Sequence, residues 1–298
     1  MIYTLTLNPC IDHIIYIDKF EKGKINKCIN EDFISGGKGI NVSSVLNILG
    51  KKNKSIGFVG GQTGLWFKKI LKKEGIKTDF VMVKNGNTRV NTKIKSIEET
   101  DLNSIGLTIS KEEIKKLFKK LKKLKKGDFL VLAGSLPNGV DNTIYTDIIE
   151  LLKPKGVKII VDTTKEALVN AVKKGPFLIK PNEFELGEVF NVVIKTDEDV
   201  VKYSKELIKM GAENVLVSLG EKGAMIITSD GEVIKKEAIK GEVKNTTGAG
   251  DSLVAGFLYE YENTKDLKKA LDFSVIVSGA NAFSKTFATK EEIYKLIK

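Results

Sequence analysis

The sequence predicts an α/β protein in which helices cover a mainly parallel sheet. Strand-like and helix-like segments alternate through most of the chain, and this alternation is typical of that architecture. The length of 298 residues suits one large α/β unit with a minor appendage, and a hydrophobic content of 42% can supply a substantial core. We therefore expect a single domain over residues 1–298.

Seven short apolar segments predict the strands of the sheet. In chain order they cover residues 2–7, 55–59, 129–132, 158–161, 177–179, 214–218 and 224–228. Nine segments between and after them predict helices, at residues 41–49, 65–74, 110–124, 143–152, 165–173, 198–210, 250–261, 265–284 and 290–297. The two sets together predict helical layers against a central sheet.

The densest lysine run shows the helical pattern clearly. Within residues 111–126 one face carries the apolar side chains Ile114, Leu117, Phe118, Leu121 and Leu124, and the opposite face is rich in lysine. A membrane-binding helix is the alternative to a solvated surface helix. We favour the surface helix, because lysines are spread through nearly every surface segment of this chain of net charge +11.

Two segments lack helical spacing and interrupt the alternation. Residues 14–34 and 89–103 carry alternating apolar and polar side chains, as in the run from Val90 to Lys95. We expect them to pair as a small separate sheet, a lid formed by roughly residues 12–35 and 88–107. Such a sheet would project from the main body, where it could cover a site or meet a partner subunit.

Composition excludes several classes of function. The two cysteines, Cys10 and Cys28, cannot form a disulfide framework or a Cys-x-x-Cys zinc site. The single histidine, His13, argues against a Ser-His-Asp triad or a multi-histidine metal centre. We expect no nucleic-acid partner, because aromatic clusters that stack on bases are missing. No signal peptide or apolar stretch of roughly 20 residues is present, so we expect a cytoplasmic protein without membrane association.

The most informative motif is Asn-Thr-Thr-Gly-Ala-Gly-Asp at residues 245–251. Its small residues Gly248, Ala249 and Gly250 leave backbone N–H groups uncovered just before a predicted helix, whose positive end favours an anion. Asp251 would then stand beside a phosphate and could take a proton from an attacking hydroxyl. An ordinary turn with a capping aspartate is the alternative, and these residues alone do not decide between them.

Other polar motifs also follow predicted strands. Ser-Gly-Gly-Lys-Gly-Ile-Asn at residues 35–41 can cradle an anion or a polar substrate, although it lacks the spacing of a Walker A loop. Asp12 follows the first strand and can bind sugar hydroxyls. Asn182 and Glu185 lie one helical turn apart and can organise a hydrated Mg²⁺, and residues 218–223 could lie under a nucleotide. For each motif alone, capping or turn formation remains an equal alternative.

Arginine usage adds a separate observation. Of the 49 basic residues only Arg89 is arginine, so its guanidinium is either a chance retention or serves where a planar, forked donor must grip a phosphate or carboxylate.

These motifs together resemble the ribokinase-like (PfkB) carbohydrate kinase family. Its three landmarks are similar to Gly-Gly-Lys-Gly-Ile-Asn at 36–41, Pro-Asn-Glu-Phe-Glu at 181–185 and Thr-Gly-Ala-Gly-Asp at 247–251, in the family's order and usual separations. The resemblance covers essentially the whole chain and implies a three-layer α/β/α core with a β-sheet lid.

Further segments resemble the branch of the family that acts on phosphosugars, and most closely the group that phosphorylates fructose 1-phosphate. They are residues 8–12, 57–64, 88–93 and 132–137. Glu-Thr-Asp-Leu-Asn at 99–103 departs from that group's Glu-Thr-Glu-Ile-Asn at Asp101 and Leu102, and the Pro-Gly-Pro that usually follows is missing. The departure weakens the choice of sugar phosphate but not the reaction type.

The resemblance implies transfer of the ATP γ-phosphoryl group to the C6 hydroxyl of fructose 1-phosphate, with Asp251 as general base and Gly248, Ala249 and Gly250 stabilising charge. The implied substrate residues are Asp12, Gly36, Gly37, Lys38, Asn41, Arg89 and Ser135, with Lys38 and Arg89 on the phosphate that the sugar already carries. The implied nucleotide residues are Lys180, Asn182, Ser218, Gly220, Gly223, Gly250 and Asn281. Mg²⁺ would be held mainly by ATP and water, with Asn182 and Glu185 in its outer shell.

Several alternatives remain open. Tagatose 6-phosphate is the nearest alternative substrate, followed by fructose 6-phosphate, and unphosphorylated ribose or nucleosides are more distant. A non-catalytic sugar-phosphate-binding regulator is a different class, but it would be expected to lose Asp251. The resemblance also implies a homodimer formed through the lid.

Overall fold

A computed structural model describes residues 1–297 of the protein. The strands in this range are β1 (Ile2–Thr6), β2 (Cys10–Tyr16), β3 (Asn30–Gly36), β4 (Asn53–Gly60), β5 (Val81–Val83), β6 (Arg89–Lys95), β7 (Thr100–Leu102), β8 (Phe129–Ala133), β9 (Lys158–Asp162), β10 (Leu178–Ile179), β11 (Asn214–Ser218), β12 (Ala224–Thr228) and β13 (Val233–Lys236). The helices are α1 (Lys38–Ile48), α2 (Gly61–Lys73), α3 (Lys111–Leu121), α4 (Ile144–Leu152), α5 (Lys165–Val172), α6 (Glu183–Phe190), α7 (Asp197–Met210), α8 (Ala249–Thr264), α9 (Leu267–Ala282) and α10 (Lys290–Lys295).

A nine-stranded sheet forms the centre of the protein. Its strand order is β13-β12-β11-β10-β9-β8-β1-β4-β5, and every neighbouring pair from β11 to β5 is parallel. Strand β12 is antiparallel to β11, and the edge strand β13 is antiparallel to β12. The predicted fold class, an α/β protein with a mainly parallel sheet, is therefore confirmed.

Helices cover both faces of this sheet, which explains why its central strands are almost continuously apolar. On one face, side chains such as Leu117 and Leu207 from the layer α3–α7 pack against strand residues that include Leu5. On the other face, helices α1, α8, α9 and α10 bury side chains such as Phe257 against strand residues that include Ile2. Burial of each such side chain contributes about 1.5–3 kcal/mol relative to exposure, so the two layers hold the sheet rigidly.

A separate four-stranded sheet is built from the two segments that interrupt the α/β alternation. Its order is β3-β2-β6-β7, with β2 and β6 parallel and the outer pairs antiparallel. Strand β3 is fastened to α2 by Phe33, whose ring lies 4.9 Å from that of Trp66, and by Ser35, whose hydroxyl donates to Glu74 at 2.9 Å. The existence of the small second sheet is confirmed, and its action as a lid stays a prediction.

The structure adds three elements that the sequence pattern did not predict. Strands β5 and β13 are only three and four residues long and lie at the two edges of the large sheet, so they carry too little periodic signal. Helix α6 was missed because its apolar residues do not form one clear face, since Phe184 is exposed and Leu186 is buried. It begins inside the motif at residues 181–185.

The topology brings the polar motifs together at the carboxyl ends of the parallel strands of the large sheet. Because β1, β8, β9, β10 and β11 run parallel, the residues that follow them meet at the carboxyl ends of the strands, where open α/β sheets bind ligands. Asn182, two residues beyond Lys180 in the segment after β10, forms a backbone bridge there with Ser218, the last residue of β11. Within residues 1–297, no helix has the length and apolar character needed to cross a bilayer.

Candidate active site

The segment from Gly36 to Asn41 runs from the end of β3 in the small sheet into the first turn of helix α1. Gly37 has a φ of 118°, a backbone conformation that favours glycine, and serves as the N-cap of α1. Gly36 lies so close to Asp12 that a Cβ on it would come within 2.7 Å of Asp12 Oδ2. The glycines therefore let this segment approach the carboxylate of Asp12 and turn directly into the helix.

Five side chains on one face of the small sheet form what we call the lid-side cluster: Cys10, Asp12, Arg89, Asn91 and Lys93. Asn91 Nδ2 donates to Asp12 Oδ1 at 3.0 Å, Cys10 Sγ donates to the same oxygen at 3.3 Å, and Lys93 Nζ lies 3.6 Å from Asp12 Oδ2. Asp12 is buried but stays paired with these groups. Burial and the neighbouring Asp12 charge raise the pKa of Cys10 to about 12, so Cys10 is a neutral thiol here.

Arg89 is anchored by the loop that follows β1. Its Nε and Nη2 atoms both donate to the carbonyl oxygen of Asn8, at 3.2 and 2.9 Å. The side chain of Asn8 in turn donates to the carbonyl oxygen of Ile105 at 3.3 Å. Two guanidinium nitrogens therefore fix the plane of the group, and its remaining N–H groups are free to face a ligand.

A second group of side chains lies at the N-terminal end of α8, and we call it the helix-end cluster: Lys38, Asn41, Asp162, Lys180 and Asp251. Asn41 Nδ2 donates to Asp251 Oδ2 at 2.7 Å. Lys38 Nζ donates to Asp162 Oδ1 at 2.9 Å, and Lys180 Nζ lies 3.5 Å from that oxygen. Residues that are distant in sequence thus converge on two buried carboxylates.

The electrostatics of the helix-end cluster favour proton acceptance by Asp251. Burial, followed by the charge of Asp162, raises the pKa of Asp251 to about 7, against the lowering effects of Asn41, Lys38 and Lys180. A carboxylate with a pKa near 7 is partly ionised at neutral pH and basic enough to accept a proton, so it can act as a general base. Burial opposes ionisation of Lys38, but the Asp162, Glu185 and Asp251 carboxylates raise its pKa above the ordinary value.

The turn before α8 exposes the amino end of that helix. Gly248 is the N-cap and has a φ of 79°, in the left-handed region, with no side chain capping the first turn. The N–H groups of a first helical turn have no acceptors within the helix, so those of Gly250 and Asp251 are suited to an anion, whereas Ala249 N donates to the carbonyl of Thr246 at 3.3 Å. Asn281 is buried and supports this turn, since its Nδ2 donates to the carbonyl of Thr247 at 3.3 Å.

Two of the residues predicted for the nucleotide, Lys180 and Asn281, lie beside the same end of α8. Lys180 Nζ lies 3.4 Å from the position of a Cβ on Gly250. Asn182 and Glu185 form a capping box at the start of α6, in which the Asn182 side chain accepts from Glu185 N at 2.7 Å and Glu185 accepts from Asn182 N at 2.9 Å. Gly220 and Gly223 flank the turn after β11, next to Ser218.

Two observations differ from the sequence-based expectation. Lys38 is expected to meet the sugar's phosphate together with Arg89, and in the structure its ammonium pairs with Asp162 in the helix-end cluster. Asp162 itself was missed, although it follows a strand just as Asp12 does, and the same rule applied to residues 158–161 would have found it. Ser135 is exposed and follows Gly134, which packs near Lys38.

The side chains near the proposed nucleotide site do not form a metal site by themselves. Among residues 1–297, no group of three or more His, Cys, Asp or Glu side chains is arranged to hold a metal ion. Asn182 and Glu185 each already use one side-chain oxygen in their capping box. Both residues are half-buried, so they fit contact through water better than direct coordination.

Comparison with known proteins gives matches along nearly the whole chain. A model of the pfkB family carbohydrate kinases matches residues 5–291. The chain is 40% identical over 297 residues to a 1-phosphofructokinase of Bacillus subtilis (strain 168), which covers 100% of this chain and 97% of that protein. It is 36% identical over 286 residues to a D-tagatose-1-phosphate kinase of Bacillus licheniformis, with 96% and 93% covered. The structure of Escherichia coli phosphofructokinase-2 in complex with fructose-6-phosphate matches with a TM-score of 0.92 at 29% identity and covers 99% of this chain and 97% of that chain.

Proposed function

Because this chain belongs to the pfkB family of carbohydrate kinases, we propose that it transfers the γ-phosphoryl group of ATP to the C6 hydroxyl of fructose 1-phosphate. The products are fructose 1,6-bisphosphate and ADP. The observation that carries the proposal is the arrangement of the two clusters at the two ends of the segment of residues 36–41. Gly36 packs against Asp12 in the lid-side cluster, while Asn41 donates to Asp251 in the helix-end cluster. A sugar phosphate that spans this segment would meet both clusters.

Asp251 is the proposed general base. Its carboxylate accepts the proton of the C6 hydroxyl as the sugar oxygen attacks the γ-phosphorus, and the bond to the bridging oxygen of ADP breaks. Asn41 fixes one carboxylate oxygen at 2.7 Å, which leaves the other free to face the substrate. The N–H groups of Gly250 and Asp251, in the first turn of α8 after the N-cap Gly248, stabilise the charge on the transferred group because they are oriented before the reaction begins.

The lid-side cluster is the proposed sugar-phosphate end. Asp12, whose carboxylate is oriented by Asn91 and Cys10, binds sugar hydroxyls together with Gly37 and Asn41. Arg89 grips the phosphate that the sugar already carries, since its guanidinium plane is fixed by the Asn8 carbonyl. Ser135 follows β8 at the carboxyl end of the large sheet. It would contact the substrate from the side opposite to the lid-side cluster.

The nucleotide and its metal are proposed at the helix-end side. Lys180 would contact the ATP phosphates near Gly250, and residues 218–223 with Asn281 would line the base and ribose region. Mg²⁺, when bound with ATP, would neutralise phosphate charge. Asn182 and Glu185 would contact its water shell, which agrees with a donor set that cannot enclose a metal directly. As an ATP-consuming enzyme of sugar metabolism, the protein is proposed to act in the cytoplasm.

A second candidate substrate is tagatose 1-phosphate. It is supported by the identity of 36% to a D-tagatose-1-phosphate kinase, and tagatose differs from fructose only in the configuration at C4. Tagatose 6-phosphate and fructose 6-phosphate remain further alternatives. A non-catalytic regulator is disfavoured by Asp251, because a binding protein has no need for a buried carboxylate with a raised pKa.

A coupled assay of ADP release tests this proposal. The acceptors are fructose 1-phosphate, tagatose 1-phosphate, tagatose 6-phosphate, fructose 6-phosphate and unphosphorylated fructose, each with saturating MgATP. We expect the highest kcat/KM for fructose 1-phosphate and a loss of at least about 100-fold for fructose, because the Arg89 contacts would then be missing. A higher kcat/KM for another acceptor would reassign the substrate, and no turnover with any of them would reject the kinase proposal.

The lid is proposed to form a homodimer. On the face of the small sheet that carries Asp12, Tyr16 and Ile34 are exposed by 38% and 41%, although Ile34 lies directly opposite Asp12 in the strand register. The lid of a second copy would cover these apolar side chains and limit access of water to the site.

Sedimentation velocity tests the dimer. We expect the wild-type protein to sediment as a dimer at micromolar concentration and Ile34→Lys to sediment as a monomer, because a charge on this face cannot be buried against a second lid. Ile97→Lys is the control, since Ile97 is 81% exposed between β6 and β7 and lies outside the two strands that carry this face. A monomeric wild type, or a dimeric Ile34→Lys variant, would contradict the proposed interface.

A further inference from the structure

Asp162 is a buried carboxylate in the helix-end cluster to which the reaction described above gives no role. It is the last residue of β9, and its side chain has no exposed surface. Its Oδ1 atom accepts from Lys38 at 2.9 Å and lies 3.5 Å from the ammonium of Lys180. Within residues 1–297, its Oδ2 atom has no hydrogen-bond partner.

Burial of the Asp162 carboxylate lowers the stability of the fold unless the carboxylate holds neighbouring charges in place. Taking an ionised carboxylate out of water costs several kcal/mol, which ion pairing offsets only when the geometry is good. An apolar residue at the same position would serve the fold at least as well. Asp162 lies between two ammonium groups that would otherwise repel each other, so it allows both to converge on one small region.

The backbone around Asp162 is fixed by its neighbours in the sheet. The carbonyl oxygen of Asp162 accepts from Gly134 N at 3.2 Å, and β9 lies between β8 and β10. The two lysines come from different elements, Lys38 from the start of α1 and Lys180 from the loop after β10. A rigid strand end therefore sets the positions of two long, flexible side chains.

Both lysines point toward the site of the chemistry. Lys180 Nζ lies 3.4 Å from a Cβ position on Gly250, in the first turn of α8, and Lys38 is close enough to lower the pKa of Asp251. Negative charge moves through this region during phosphoryl transfer, from the attacking oxygen to the leaving group. Ammonium groups that are already in place stabilise that charge without reorganisation.

We propose that Asp162 is a positioning residue that holds the ammonium groups of Lys38 and Lys180 beside Asp251, where the transferred phosphoryl group passes. Asp162 acts through the two lysines and does not itself touch the reacting atoms. The inference rests on the proposed function, since it assigns the lysines to the transferred group.

The groups that face Asp251 predict how Asp162 affects proton transfer. They are Asp162 from β9, Lys38 and Asn41 from α1, and Lys180 from the loop after β10. The negative charge of Asp162 raises the pKa of Asp251, and the two lysines lower it. If Asp162 becomes neutral, Asp251 should release its proton at lower pH, so the acid limb of kcat/KM should move to lower pH from its position near 7.

The first test is the kinetics of Asp162→Asn, which keeps the shape of the side chain. We expect kcat to fall about tenfold, the KM for the sugar phosphate to change less than about threefold, and the acid limb to move to lower pH. Asp128→Asn is the matched control, because Asp128 is also buried but lies at the start of β8 and pairs with the N-terminal amine. A normal kcat with an unmoved acid limb in Asp162→Asn would overturn the proposal.

Thermal melting gives a second test that does not depend on turnover. Lys38→Met with Lys180→Met leaves the Asp162 carboxylate buried without its cations, so we expect the melting temperature at pH 8 to fall below that of the wild type. Adding Asp162→Asn to this double variant should raise the melting temperature again. If Asp162 only fills space, the third substitution will lower the melting temperature further, and the proposal fails.

These two tests separate the inference from the function on which it rests. If the wild type phosphorylates none of the five acceptors, the proposed function fails, while the melting comparison still decides whether Asp162 holds the lysines. If the wild type is active and Asp162→Asn matches it in kcat and in pH profile, only the role of Asp162 is rejected. The triple variant also stays informative if Asp162→Asn alone does not fold, because it contains none of the three charged groups.

Discussion

We expect Asp251→Asn to lower kcat by about two to four orders of magnitude, which is the contribution that a positioned general base usually makes. The amide keeps the size of the side chain and can still accept the hydrogen bond from Asn41, which the carboxylate accepts at 2.7 Å. It cannot take the proton of the attacking hydroxyl. The measurement is kcat with the preferred sugar phosphate at saturating MgATP.

Two controls separate lost chemistry from lost structure in this variant. Binding of the sugar phosphate, measured by calorimetry, should be largely retained because the lid-side cluster is unchanged. Stability gives the second control. The folded pKa of Asp251, about 7, lies above its unfolded value, so ionisation at pH 8 costs stability in the native protein. Asp251→Asn removes that cost and should melt at least as high as the wild type at pH 8.

The opposite results would reject the assignment. Turnover within about threefold of the wild type would show that another group accepts the proton or that no base is needed. A variant that melts well below the wild type at pH 8 would show that the carboxylate is needed for folding, and the loss of kcat would then say nothing about catalysis. Retained binding, a melting temperature at least equal to that of the wild type at pH 8 and a large loss of kcat together identify a base.

The sequence predicts the large sheet well because its pattern is local. Residues 214–218 and 224–228 were predicted with the bounds of β11 and β12, since these strands are apolar and end at the glycine-containing turn of residues 219–223. The edge strand β5 was missed because three residues cannot show a period. Edge strands depend on pairing with a neighbour, which is information that the local pattern does not contain.

The site could be predicted only as separate motifs. Each motif predicted a loop after a strand, and the parallel topology explains why those loops meet. The contact between Lys38 and Asp162 joins positions 124 residues apart, so no spacing rule relates them. The resemblance implied that Lys38 and Arg89 meet the same phosphate of the sugar, whereas the position of Lys38 in the first turn of α1 directs its side chain toward Asp162 in the helix-end cluster.

We expect Arg89→Ala to raise the KM for the sugar phosphate about 100-fold and the KM for ATP less than about threefold. A forked guanidinium makes two charge-assisted hydrogen bonds to a phosphate, each worth about 1.5 kcal/mol or more, and about 3 kcal/mol corresponds to that factor. Steady-state kinetics with each substrate varied in turn is the measurement. Equal increases in both KM values would contradict a contact with the sugar phosphate.

Lys95→Ala is the matched control for this variant. Lys95 lies at the other end of β6 on the same face of the strand, and it pairs with Glu99 in a half-exposed ion pair. Its loss should leave both KM values within about twofold of the wild type. Arg89→Lys adds a further comparison, because it keeps the charge but not the fork, and we expect a KM for the sugar phosphate between those of the wild type and Arg89→Ala.

Arg89 also holds the loop after β1 through the carbonyl of Asn8, so a structural role must be distinguished from phosphate binding. Unphosphorylated fructose makes the distinction, because it carries no phosphate for Arg89 to bind. If Arg89 binds the phosphate, Arg89→Ala lowers kcat/KM for fructose 1-phosphate but hardly changes the low kcat/KM for fructose. If Arg89 only orders the loop that leads to Asp12, both values fall by the same factor, since both sugars need Asp12. The ratio of the two kcat/KM values therefore measures the phosphate contact alone.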